Sequence, residues 1–244
     1  MAENPLLPHR KLQELHTLIV RARSMSKAPS TSPRFEALLA ATLMHLEPGD
    51  FVSPPPGAAH AAQLIAERTA PARRKKSTVP QLEPALPATQ RLAAAAGAAR
   101  GLKLAKSDRM SVVYIDAGAP TTRTEPSWAE SLTYISQGEL PFVAVIADAT
   151  GSNTSANPKS LSWPNVAKLT AKLQLPVLTV DGEDAVAVYR CMQECTLRAR
   201  MGAGSALIWA VLTPGSKAAS LTRSQLPQSR LESYLKTRSI PFKN

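Results

Sequence analysis

The run Ser111-Val112-Val113-Tyr114-Ile115 is short, almost wholly apolar and rich in β-branched residues. A strand with one wet face alternates polar and apolar side chains. This run does not, so it reads as a strand covered on both faces, the habit of parallel sheets. Comparable runs stand at Phe142 to Ala147, Pro176 to Val180 and Ala206 to Leu212. Helical segments near 127–136, 163–173 and 184–200 separate them. The last places Ala185, Val188, Met192, Cys195 and Ala199 on one face, and Gly202 and Gly204 follow its end as a stop. Strand alternating with helix predicts right-handed parallel crossovers, hence an α/β chain with a doubly wound parallel sheet.

Upstream of this core the chain reads as helical. Leu12, Leu15, Leu18, Ile19 and Ala22 share one face of a first helix, which argues that it docks. A polar stretch, Ser24 to Pro33, leads to a second apolar helix from about Phe35 to Leu46. That helix stops at Glu47-Pro48-Gly49-Asp50. Pro54, Pro55 and Pro56 then exclude regular structure, and a third helix is expected from about Ala58 to Arg68. Residues 69–85 combine prolines with a basic cluster and are expected to form a mobile surface loop within a single domain spanning 1–244. The helix from Arg91 to Leu104 is rich in alanine and carries Gly97, so its backbone could approach a neighbour closely. Leu231, Tyr234 and Leu235 mark a final helix.

Composition narrows the classes. The 244 residues are 44% hydrophobic, enough to bury a core, so global disorder is excluded. Two cysteines, Cys191 and Cys195, imply no disulfide framework and read as small buried hydrophobes. No apolar run of about eighteen residues is present to span a bilayer, and no signal-peptide core precedes the first helix, so a cytoplasmic location is the default expectation. The formal net charge is +11. One reading is a polyanion site at Arg73, Arg74, Lys75 and Lys76. No aromatic residue interleaves with that cluster, which disfavours nucleic acid against an ordinary basic surface.

Several segments, in order, carry a family resemblance. They are Glu36-Ala37 through Leu46-Glu-Pro-Gly-Asp50-Phe51; Arg91 to Ala99 followed by Leu102-Lys-Leu and Asp108-Arg-Met-Ser-Val-Val; Leu140-Pro141-Phe-Val-Ala-Val-Ile; Val180-Asp181-Gly182-Glu-Asp184-Ala-Val-Ala-Val-Tyr189; and Arg230-Leu-Glu-Ser-Tyr-Leu-Lys. Together these resemble the alpha subunit of the thiamin-diphosphate-dependent 2-oxoacid dehydrogenases, over nearly the whole chain. The resemblance implies a thiamin-diphosphate-binding fold with a helical N-terminal part. It also implies a homodimer, or a heteromer with a beta-type chain.

The chemistry that the resemblance implies is where this chain departs from its family. Family members hold the diphosphate through magnesium, a hard cation that wants oxygen ligands. They supply an aspartate from a Gly-Asp-Gly-Ala turn after one strand and an asparagine after the next. Here the first turn reads Asp116-Ala117-Gly118-Ala119, and matching Gly118-Ala119 to the family's Gly-Ala puts Ala117 at the aspartate position. The second turn reads Asp148-Ala149-Thr150-Gly151 and puts Ala149 at the asparagine position. A methyl group cannot ligate magnesium, so this register leaves no cofactor and no metal. In a second register, slipped by one residue, Asp116 and Asp148 replace the lost ligands and thiamin diphosphate with magnesium is retained. The plain alternative for both aspartates is a turn cap after a strand. The four histidines are His9, His16, His45 and His60, with none beyond residue 60, and no residue is assigned a catalytic role. Three functions follow: a degenerate, non-catalytic structural or regulatory subunit; an active dehydrogenase subunit; or a polyanion binder.

Overall fold

A computed structural model describes residues 7–25, 35–54, 86–117, 127–150, 161–213 and 223–242. The helix expected at 58–68, the loop at 69–85 with Arg73 to Lys76, His60, and Gly118 with Ala119 lie outside the described residues. In chain order the elements are α1 (His9–Met25), α2 (Phe35–Leu43), β1 (Phe51–Ser53), α3 (Ala88–Leu104), β2 (Ser111–Asp116), α4 (Trp128–Gln137), β3 (Phe142–Asp148), α5 (Trp163–Leu173), β4 (Val177–Asp181), α6 (Ala185–Arg200), β5 (Ala206–Val211) and α7 (Pro227–Thr237), with a 3-10 turn at Arg223–Gln225.

All strand pairs are parallel and the sheet order is β1-β2-β3-β5-β4. From β1 to β4 the chain moves one way across the sheet, so right-handed crossovers place α3, α4 and α5 on one face. The step from β4 back to β5 reverses direction and puts α6 on the other. The two cores follow this division. Val113, Ile115, Phe142, Ala144, Ile146, Leu207 and Trp209 pack with α3, α4 and α5. Val112, Tyr114, Val143, Val145, Ala147, Ile208 and Ala210 pack with α1, α2, α6 and α7. Alternate residues of each central strand thus enter opposite cores, and both cores are apolar, which is why the strand sequences show no alternation.

The helical faces read from the sequence are the buried ones: Leu12, Leu15, Leu18, Ile19 and Ala22 on α1, and Ala185, Val188, Met192, Cys195 and Ala199 on α6. Gly202 and Gly204 have φ of 73° and 88°, left-handed turns after α6 that glycine takes without strain. Two features differ from the sequence reading. Residues 51–53 form an edge strand immediately before the prolines, because an edge strand pairs on one side only and Val52 can be fully buried against β2. Gly97 is exposed, and a Cβ there would meet no described heavy atom within 4 Å. The close approach is made instead by Ala95, Ala96 and Ala99, which are buried within the chain.

Candidate functional site

Parallel α/β sheets place ligands outside the carboxyl ends of their strands, where neighbouring strands send their connections to opposite faces. Here that point lies between β3 and β5: β3 leads to α5 on one face, β5 to α7 on the other. Asp148 and Leu212 flank it, joined by a Leu212 N–H donating to the Asp148 carbonyl at 2.7 Å.

Asp148 is 6% exposed, and its carboxylate is fully engaged. Oδ1 accepts from the Thr150 N–H at 3.0 Å and the Thr150 hydroxyl at 2.6 Å. Oδ2 accepts from the Trp209 indole N–H at 3.2 Å. Trp209 packs against Trp163, ring centroids 5.3 Å apart. This is the turn cap the sequence allowed, with a buried indole added. Ala149, at the asparagine position of the family, is exposed and follows directly.

Asp116 ends β2, half-buried, and no hydrogen bond reaches its carboxylate among the described residues. Ala117, at the family's aspartate position, is half-buried and donates its N–H to the Ala147 carbonyl at 2.8 Å. The register decides where the two aspartates point. Asp116 lies opposite Ala147, whose side chain enters the α1/α2/α6/α7 core. Asp148 has the parity of Phe142, Ala144 and Ile146 and bonds Trp209, all on the α3/α4/α5 side. By strand alternation the carboxylates of Asp116 and Asp148 leave opposite faces of the sheet. The slipped register needs them on one cation, and this geometry does not bring them together. Among the described residues no group of three or more His, Cys, Asp or Glu side chains could hold a metal.

Arg91, which the sequence reading passed over, enters this edge. It lies in the first turn of α3 and is 1% exposed. Its Nη1 donates to the Pro54 carbonyl at 2.6 Å and to the Ser53 hydroxyl at 3.4 Å, and its buried Nε has no partner. Burial lowers the guanidinium pKa and the nearby Asp116 carboxylate opposes that shift. Burial raises the Asp116 pKa, with Arg91 opposing in turn. The available signal was a single arginine heading an otherwise alanine-rich buried face.

The described histidines with partners serve packing. His16 Nε2 meets Glu232 at 3.3 Å beneath Phe242. His45 Nε2 meets the Tyr189 carbonyl at 3.1 Å, and burial lowers its pKa to about 4. Cys195 is buried, which pushes its thiol up to about 12. No helix among the described residues is long and apolar enough to cross a membrane.

Comparison with known proteins adds two kinds of finding. A family model described as the dehydrogenase E1 component matches residues 67–212. The alpha subunit of acetoin:2,6-dichlorophenolindophenol oxidoreductase from Bacillus subtilis (strain 168) is 29% identical over 114 residues, 47% of this chain and 33% of that subunit. Among solved structures, benzoylformate decarboxylase from Polynucleobacter necessarius aligns with a TM-score of 0.50 at 16% identity, over 76% of this chain and 34% of the enzyme. That likeness shows the fold. The chain covers about a third of the length of these two relatives.

Proposed function

Because the chain belongs to the dehydrogenase E1 component family, with the fold and the alpha-type sequence pattern of that family, we propose that it is an alpha-type subunit that has lost magnesium and thiamin diphosphate binding and serves as a non-catalytic structural or regulatory partner. One observation carries this reading: the two strand tips offer methyl groups at Ala117 and Ala149, and by strand alternation Asp116 and Asp148 start from opposite faces of the sheet. A magnesium-bound diphosphate needs several oxygen ligands converging on one point. Among the described residues the donor set does not fit that requirement in either register. The Asp148 carboxylate would have to abandon Trp209 and Thr150 to ligate, leaving a buried indole N–H unsatisfied.

The partner expected is a second copy or a beta-type chain, since family members and the Bacillus subtilis relative are subunits of larger assemblies. Calorimetric titration of the full chain with thiamin diphosphate and magnesium should give no magnesium-dependent heat of binding. Saturable, magnesium-dependent binding that Asp116→Ala abolishes would overturn the proposal and support an active, cofactor-dependent dehydrogenase subunit instead.

A further inference from the structure

Beyond the carboxyl end of β4 lies a cavity of about 540 Å³, within the size range of small-molecule sites. The first turns of α6 form one wall and α7 the other, and Leu7 closes the base. We propose that this cleft binds a small organic phosphate with a short apolar or aromatic body. The proposal is independent of the strand-tip reading above.

The floor is apolar: Leu7, Ala185 and Leu231 are each 3% exposed or less. Three arginines line the cleft, and they differ in what they already hold. Arg230 is committed, donating from Nη2 to Asp181 at 2.7 Å. The acidic group in the lining, Asp184, is committed too. Its Oδ1 caps α6 by accepting from the N–H groups of Val186 and Ala187, each at 3.0 Å. Arg190 and Arg238 remain. Neither guanidinium forms an ion pair or hydrogen bond among the described residues, and both side chains are exposed at the lip of the same cavity. Arg238 lies over the Tyr234 ring, 4.7 Å from guanidinium carbon to centroid, which sets the plane it presents.

Two unpaired guanidinium forks on one cavity suit an anion with more than one charge and several acceptor oxygens, which is a phosphate ester. A monocarboxylate offers only one charge and two oxygens. The apolar floor and the Tyr234 ring would take the rest of the ligand, so bare phosphate would lose part of the contact.

Phenyl phosphate titrated into the full chain, followed by amide chemical-shift changes, tests this. Saturable binding at one site is expected, with shifts concentrated in the first turns of α6 and along α7. Arg190→Gln and Arg238→Gln should each weaken binding about tenfold, as loss of a charge-assisted bond requires. Both side chains are exposed, so both variants should fold. Lys172→Gln, an exposed charge change on α5 across the sheet, should leave binding unchanged, as should Asp116→Ala. Benzoate and inorganic phosphate should each bind about tenfold more weakly than phenyl phosphate. Equal affinity for phenyl phosphate and inorganic phosphate, insensitivity to both arginine variants, or no binding at about 10 mM ligand would overturn the proposal.

Discussion

Glu36 sits on α2 with 6% of its surface exposed, and burial lifts its carboxyl from 4.5 to about 7, partly opposed by Arg23. Between those two values the folded chain keeps a proton that the unfolded chain releases. Its contribution to stability is therefore complete below pH 4.5 and is lost as pH rises through 7. His45 works in the other sense. Its folded pKa of about 4 lies below the ordinary 6.5, so its contribution is complete above pH 6.5 and is lost as pH falls towards 4. Glu36→Gln keeps the shape and removes the titration. At pH 8 the variant should be more stable than the parent by about 1–3 kcal/mol, and near pH 4 the two should converge. Urea midpoints measured at both pH values check this; a variant no more stable at pH 8 rejects the buried, proton-holding carboxyl. Residue identities were legible in the sequence, but their environments were not. Ala117 and Ala149 could be read directly as groups unable to ligate. That Asp116 and Asp148 leave opposite faces follows from strand register, and the Asp148 bond to Trp209 spans 61 positions, a separation no local pattern encodes.

Elements were the most legible scale, because each apolar run and helical face expresses a local period. The β4–α6 turn is an instance with consequences. A Cβ on Gly182 would fall 2.7 Å from Leu212 Cδ2 and 3.0 Å from the Ala210 Cβ, so the turn hugs β5 too closely for any side chain. Gly182→Ala should destabilise by about 1–3 kcal/mol. Gly97 is the opposite case, a helix-interior glycine with open space around it. Gly97→Ala should stabilise by about 0.5–1 kcal/mol through reduced freedom of the unfolded chain. Thermal denaturation of the two variants side by side tests the contrast, and a destabilised Gly97→Ala would place that helix face against another surface. The strand at Phe51–Ser53 was not legible because three residues are too few to show a period and three prolines follow them directly. Its signal was the apolar pair Phe51-Val52 straight after a turn whose Gly49 has φ of 93°.

At the scale of the whole molecule, one sheet separates two apolar cores, and a buried ion pair ties the helical N-terminal layer to it. Asp50 is 0% exposed and receives two bonds from Arg200 at the end of α6, at 3.1 and 2.7 Å. It also accepts from the N–H of Glu47 at 2.7 Å and of Met110, just before β2, at 3.0 Å. Arg109 adds an ion pair to Glu47. The sequence showed only a helix stop at Glu47 to Asp50; the partner 150 positions away was invisible to it. Asp50→Ala would remove the carboxylate that Arg200 meets and leave the N–H groups of Glu47 and Met110 without their acceptor, while Arg200 keeps the Asp108 and His45 carbonyls, which should lower stability by about 2–4 kcal/mol. The two cores carry separate reporters. Trp128 and Trp209 belong to the α3/α4/α5 side, whereas Cys195 is buried on the other. If residues 1–244 behave as one cooperative domain, tryptophan fluorescence and Cys195 thiol labelling should report the same urea midpoint in the parent and the same shift in Asp50→Ala. A shift confined to Cys195 labelling would show that the N-terminal helical layer opens by itself and that the single-domain reading is wrong.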